Sequence, residues 1–472
     1  MSAKRINGIL KPLLLVFFLA FACMCAPVEA SSQRFVAVSS GGFTSLALDE
    51  NGSVWLWGLV YEQKGSPAYN QCPDQYVEVV GDIYCRVQTT PVKLPLNDVI
   101  AISGSDMALK KDGTVWTWGW NNHGALGDGT NVSTSTPVKV KGLDHVIAIS
   151  SGMSHLALKD DGTVWAWGPN DDGQCGDGTL IDRWEPVQVK GLSNVTAIYG
   201  GAFAIKDDGT VWTWGPSIRD VDENGKPIDY YTRGQHKPNC KPTPFKMEGV
   251  KNVRSIDFSL VGSTFVKDDG TVWAWGNDMW GRLGNGHMVS PLTTPDIQYL
   301  VTPVQVKGLN NVKTVATNID YSMALKEDGT VWAWGYNYGQ FGTGERNTTE
   351  ALPIRIPGLD GIIAIACGDH RAVFLKSDGS VWFSGVIDPY NDTVVTTPTR
   401  ILGPSSIVPT ATATIQPPSN QNATIQPSTI IQPISTGNNS STPINLPLNA
   451  ILLGTLAIII GGAAYLLILR KR

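Results

Sequence analysis

A turn dipeptide followed at once by Thr/Ser-Val-Trp recurs along this chain, and only a repeat architecture accounts for it. It stands at Asn51-Gly52, Asp112-Gly113, Asp161-Gly162, Asp208-Gly209, Asp269-Gly270, Asp328-Gly329 and Asp378-Gly379. Asp-Gly and Asn-Gly accept the positive φ angles of a type I′ turn, so each copy joins two antiparallel strands. The strand before the turn ends as LALK or MALK, and the strand after it reads TVWAWG or close to it. In the copy Lys159–Gly168, Val164 and Ala166 face one way and Trp165 and Trp167 the other. A strand apolar on both faces must be covered on both.

Two further strand patterns recur in step. One is PVKV-like and begins at Pro91, Pro137, Pro186, Pro244, Pro303, Pro353 and Pro398; the other is VIAIS-like and starts near Val36, Val99, Val146, Val195, Val253, Val312 and Ile362. Proline at the head of a strand suits a sheet edge. Four short strands per unit, repeated radially, predict an all-β, seven-bladed β-propeller of four-stranded antiparallel blades over residues 31–402. Because the domain starts on a VIAIS-type strand and ends on a proline strand, the expected closure has Thr397–Leu402 completing the first blade.

The segments WTWGWNNHGALGDG (Trp116–Gly129) and WAWGYNYGQFGTG (Trp332–Gly344) resemble regulator of chromosome condensation repeats. The resemblance implies a seven-bladed propeller, in agreement with the strand count. It implies less about activity, since the family includes a nuclear nucleotide-exchange factor, a plant ultraviolet photoreceptor and a secreted β-lactamase inhibitor. What these share is a binding scaffold.

The ends of the chain read differently. Basic residues precede PLLLVFFLAFACMCA, and small residues close the run at Ala30, the pattern of a secretory signal peptide over residues 1–30. Residues 403–447 are rich in Pro, Ser, Thr and Asn, which predicts a disordered, extended stalk. Residues 448–469 read as one transmembrane helix, and the basic tail 470–472 would lie in the cytoplasm. The expected protein is single-pass in the cell membrane, its N-terminal ectodomain outside and its membrane contact made through that one C-terminal helix. The net charge of −5 makes nucleic acid an unfavourable partner.

Between signal and stalk, no nucleophile elbow, phosphate loop or zinc spacing appears, and no carboxylate pair stands out. The chain reads as non-enzymatic. Most tryptophans keep the repeat register and serve blade packing, whereas Trp120, Trp184 and Trp280 fall outside it. Insertions replace the regular GQLG-type loop at 59–90 and 216–243 and add 287–302, and they carry Tyr61, Tyr69, Tyr76, Tyr84, Tyr230 and Tyr231. Those tyrosines and the three out-of-register tryptophans are the candidate partner-binding residues, because tyrosine gives large contact area at small entropic cost.

The run DVDENGKPID places Asp220, Asp222, Asn224 and Asp229 as candidate calcium ligands. It lacks the acidic twelfth position of an EF-hand, and an ordinary Asn-Gly turn is the competing and preferred reading. Cys72 and Cys85 share the first insertion and would form a disulfide outside the cell. Asn422, Asn438 and Asn439 lie in glycosylation sequons of the stalk. The expected function is a cell-surface binding protein that recognises an extracellular protein or glycan through its insertion loops. The alternatives are an inhibitor or regulator of an extracellular enzyme, or an extracytoplasmic carbohydrate-active enzyme.

Overall fold

The computed structural model describes residues 33–64, 77–80, 83–200, 202–216, 241–259, 262–289 and 299–404. The signal, stalk, membrane-helix and tail assignments lie outside those residues. Among the described residues no helix is long and apolar enough to cross a membrane.

Seven antiparallel sheets follow one another along the chain, six with four strands and the first with five. The third blade shows how the repeat folds. Its inner strand Val146–Ser150 pairs with His155–Lys159, which turns through Asp161-Gly162 into Val164–Gly168, and Arg183–Gln188 lies outermost. Leu158 sits opposite Val164 and Leu156 opposite Ala166, so the apolar residues of the hairpin stack in register. In the first blade the insertion adds a fifth strand, Val77–Val80, beyond Ile83–Lys93.

The recurring motif is a hydrogen-bonded unit. Thr163 donates its hydroxyl to Asp161 Oδ1 at 2.6 Å and accepts Trp165 Nε1 at 3.3 Å. Lys159 lies 5.4 Å from the centre of the Trp165 ring, a cation–π contact. Trp116, Trp212, Trp273, Trp332 and Trp382 repeat both interactions, the last with Ser380 in place of threonine. In the first blade Asp49 stands where the others have lysine, and Trp55 Nε1 donates to its carboxylate at 3.1 Å. Turn, strand and indole are thereby locked together.

The prolines sit where the ladder breaks. In the third blade pairing jumps from Ala166–Val187 to Gly168–Arg183, and Pro186 falls inside the irregularity. Pro91, Pro137, Pro244, Pro303, Pro353 and Pro398 occupy the matching gaps. A residue without an N–H costs no ladder bond there.

The expected closure is corrected. Thr393–Leu402 pairs with Val381–Asp388 in the seventh blade, and the proline strand at Pro91 completes the first. Each outer strand follows its tryptophan strand in the chain, so the local pairing closes the shorter loop. The ring is shut by packing instead. Phe35, Val38 and Trp57 form one core with Val373, Phe383 and Leu402, and Phe35 N–H donates to the Gly379 carbonyl at 3.0 Å.

Candidate functional site

The turns between inner and second strands share a face with the loops that leave the tryptophan strands, because Thr44 pairs with Gly58 and His155 with Trp167. The Asp-Gly turns lie on the opposite face. On the first of these faces the irregular loops meet the mouth of the ring.

The second tryptophan of each repeat packs at a junction between blades. Trp167 Nε1 donates to the Ala125 carbonyl of the preceding blade at 3.1 Å. Trp214 does the same to Gln174 and Trp334 to Arg282, each at 2.8 Å. Ser384, which replaces the seventh tryptophan, donates to Gln340 at 2.7 Å. All four acceptors lie in a GALG-type loop: GALG, GQCG, GRLG or GQFG. The seventh, first and fourth blades lack this loop. The tryptophans that follow them, Trp57, Trp118 and Trp275, have buried Nε1 atoms without a hydrogen-bond partner. Loop and indole satisfaction match at every junction.

The three vacancies are filled differently. At the junction of blades 7 and 1 the fully buried Arg371 lies between rings, 5.5 Å from Phe43 and 5.8 Å from Phe383. Burial holds this guanidinium down, to about 10, so it keeps its charge at neutral pH. At the junction of blades 4 and 5 Trp275 packs against Phe203 and Phe265. At the junction of blades 1 and 2 Trp118 packs in one buried core with Leu56 and Leu94. A cavity of about 490 Å³ extends there, reaching Leu56, Leu94, Trp118, Trp120, Tyr61 and Asp106 among its walls.

Rings extend from that cavity across the face. Tyr61 and Trp120 meet at 5.6 Å between centroids inside it. From Phe43 on its other wall, rings continue through His370, Tyr338 and Tyr336 to Trp280, with centroid separations of 6.2, 3.7, 4.4 and 5.0 Å. These five rings come from four consecutive blades and are all partly exposed. Asp320 Oδ2 lies 3.9 Å from His370, and Asp369 reaches the cavity wall. Burial pushes the Asp369 carboxyl up, and burial followed by the adjacent Cys85 pushes the Tyr61 phenol well above its ordinary range. Tyr61 therefore stays a neutral hydrogen-bond donor.

One cluster in this wall has the composition of a hydrolytic triad. Ser151 Oγ lies 3.2 Å from Asp106 Oδ1 and 3.5 Å from His155 Nδ1, and His155 Nε2 lies 3.4 Å from Asp106 Oδ2. The serine is buried and donates to the carboxylate, so its proton is not aimed at the histidine as a triad requires. The arrangement braces the strand start and does not activate a nucleophile. Among the described residues no group of His, Cys, Asp and Glu is placed to hold a metal ion.

Of the sequence-predicted partner residues, the structure brings Tyr61 and Trp120 together and puts Trp280 at the end of the ring row. Trp184 is exposed on the outer strand of the third blade, apart from them. Tyr84 is partly buried beside Lys64, whose ammonium lies 5.9 Å from its ring centre. Tyr69, Tyr76, Tyr230 and Tyr231 lie outside the described residues, as do Asp220, Asp222, Asn224, Asp229, Asn422, Asn438, Asn439 and Cys72. The Cys85 thiol is buried, 3.1 Å from the Tyr390 hydroxyl. Sequence reasoning missed Phe43, Trp118, Tyr336, Tyr338 and His370. The signal for Trp118 was the absent GALG segment before it.

Family comparison matches the regulator of chromosome condensation (RCC1) repeat at residues 112–158, 161–203, 269–325 and 328–375, and a second form of it at 312–340. The chain carries RCC1 repeats. The matched stretches contain the four GALG-type loops, and the irregular segments of the blades without that loop fall outside the matches.

Relatives of this RCC1-repeat chain include the mouse E3 ubiquitin-protein ligase HERC2, 33% identical over 126 residues, which are 25% of this chain and 2% of that one. The mitochondrial RCC1 domain-containing protein RUG3 of Arabidopsis thaliana is 28% identical over 113 residues, 24% of this chain and 25% of that one. Protein pim1 of Schizosaccharomyces pombe is 33% identical over 109 residues, 21% of this chain and 20% of that one. The chain thus spans a quarter or less of these curated relatives. Among solved structures, Prp20p from Saccharomyces cerevisiae, described with its binding to Gsp1p and histones, superposes with a TM-score of 0.54 at 19% identity. That match covers 73% of this chain and 85% of Prp20p. Human WBSCR16 gives a TM-score of 0.51 at 22% identity, covering 71% and 85%. These likenesses show the fold.

Proposed function

We propose that this protein is a non-enzymatic binding protein of the cell surface, whose propeller recognises an extracellular protein or glycan. The observation that carries the reading is the row of partly exposed rings that crosses four blades and meets the cavity on the loop face. Aromatic rings spaced over a rigid scaffold give contact area without an ordering cost, the economy of a recognition surface. Prp20p, which shares the fold, is described as binding Gsp1p and histones, which fits the same general use of the scaffold. The secreted, membrane-anchored topology is part of the proposal and rests on the sequence of the two ends.

A crosslinking pull-down from cell envelopes and spent medium tests it, comparing the full chain with the double variant Tyr338→Ala/Trp120→Ala. Loss of a captured partner in the variant supports recognition on this face. Equal capture by both forms moves the site elsewhere and overturns the reading. A captured enzyme that loses activity would make the protein its inhibitor. Calcium at Asp220, Asp222, Asn224 and Asp229 is part of the proposal only as a requirement for capture, tested by a parallel arm with chelator. The Cys72–Cys85 bridge is likewise proposed, and mass spectrometry of the non-reduced digest decides it.

A further inference from the structure

The rim and wall of the cavity carry polar side chains that the fold itself does not use. Asn122 and Thr136 are exposed there, and among the described residues neither the amide nor the hydroxyl has a hydrogen-bond partner. The same is true of the partly exposed Ser105 hydroxyl. The exposed Lys93 ammonium makes no ion pair among the described residues. Asp171, also exposed, accepts from Gln174 Nε2 through Oδ1 at 3.1 Å and leaves Oδ2 uncommitted. The Tyr61 hydroxyl has no partner either, and water reaches it. Trp120 offers its partly exposed ring only, because its Nε1 is buried.

These groups surround a pair of rings. Tyr61 stands on the strand Val54–Gln63 of blade 1, and Trp120 follows the strand Val115–Gly119 of blade 2. Their centroids lie 5.6 Å apart with the planes tilted by 49°. A ligand matched to this wall presents C–H faces to the rings and, around them, groups that both donate and accept hydrogen bonds. A hydroxyl does both at one atom. Arg86 and Lys93 are offset by Asp106, Asp171 and Asp369 in the same wall, so no single sign of charge selects an ion. A peptide main chain is read by the open ladder of a strand edge or by a cluster of backbone donors. Here the uncommitted groups are side chains, set singly around two rings. The volume of about 490 Å³ is within the range of sites that enclose small ligands.

We propose that this cavity binds a neutral saccharide unit of a partner's glycan. One face of the sugar stacks on Trp120, and its hydroxyls bond the Asn122 amide and the Tyr61 hydroxyl. The proposal deepens the binding reading above and rests on it.

The test applies the full chain to an array of neutral and acidic oligosaccharides. A saturable signal from a neutral glycan is expected, and Trp120→Ala should abolish it. Asn122→Ala, whose lost side chain bonds nothing in the fold, should weaken it about threefold to tenfold, the range of one neutral hydrogen bond. Leu352→Ala, exposed on the outer strand of the sixth blade, should leave it unchanged. In the pull-down, mild periodate treatment of the envelopes cleaves sugar diols and spares peptide bonds, so it should remove capture. Four results overturn the proposal: no saturable signal, signals from acidic glycans alone, a signal that survives both cavity variants, or capture undiminished by periodate. The last of these keeps the binding reading and removes this one. Absence of capture from untreated envelopes would instead count against the binding reading itself.

Discussion

A single hydroxyl ties each repeat together at the scale of the residue. Thr163 touches both Asp161 and Trp165, so Thr163→Val, which keeps the volume, should cost about 1 kcal/mol of stability, read as a lowered Tm. The same bond sets a pH dependence. The Thr163 hydroxyl, then its backbone N–H, holds the Asp161 carboxyl below its ordinary range, and Asp112, Asp208, Asp269 and Asp328 are held down in the same way. A depressed carboxylate stabilises the fold above the unfolded value of about 3.9 and loses that contribution as pH falls through the folded value. Asp161→Asn should therefore lower Tm at pH 7, with the gap from the parent shrinking below about pH 4. A gap that persists unchanged into strong acid would show that charge is not the cause. These residues were legible in the sequence as a turn requirement. The threonine bridge and the lysine over the ring needed coordinates, because they join positions whose spacing has no meaning until the hairpin exists.

At the scale of the element, the junction between blades is the unit that decides where a site can form. Trp167 has an acceptor in the preceding loop and Trp118 has none. Removing the indole from each should leave similar voids, but Trp167→Phe also strands the Ala125 carbonyl. Its loss of stability should exceed that of Trp118→Phe by about 1 kcal/mol in denaturant melts. Equal losses would mean that the hydrogen bond at the junction contributes nothing. Strand order and the edge role of the prolines were readable from periodicity, since each repeats seven times. The expected type I′ turn is corrected: Gly162 takes a positive φ but Asp161 does not, and Gly162 N–H donates to the Lys159 carbonyl, which makes a type I turn over Asp160-Asp161 with a left-handed glycine after it. The site was readable only in outline. An insertion drew attention to Tyr61 and a break of register to Trp120, yet the cavity wall also draws residues from the second and third blades, and the ring row joins residues from four blades that no local pattern connects.

For the whole molecule, closure rests on side-chain packing between the first and seventh blades. Phe383 is fully buried in the core they share. Phe383→Ala should cost about 3–5 kcal/mol and shift the unfolding of the entire propeller as one transition. A separate early transition confined to the end blades would contradict closure of this kind. The chain enters and leaves the ring at one place. Arg34 donates to the Ser377 carbonyl at 2.8 Å, and Gly403 packs against Ser380, both on the Asp-Gly face and opposite the cavity. The last strand runs toward that face, ending with Leu402 opposite Val381. Tension entering at Pro404 thus acts along the strand axis and loads its ladder in shear, all bonds together, where a perpendicular pull would unzip them one by one.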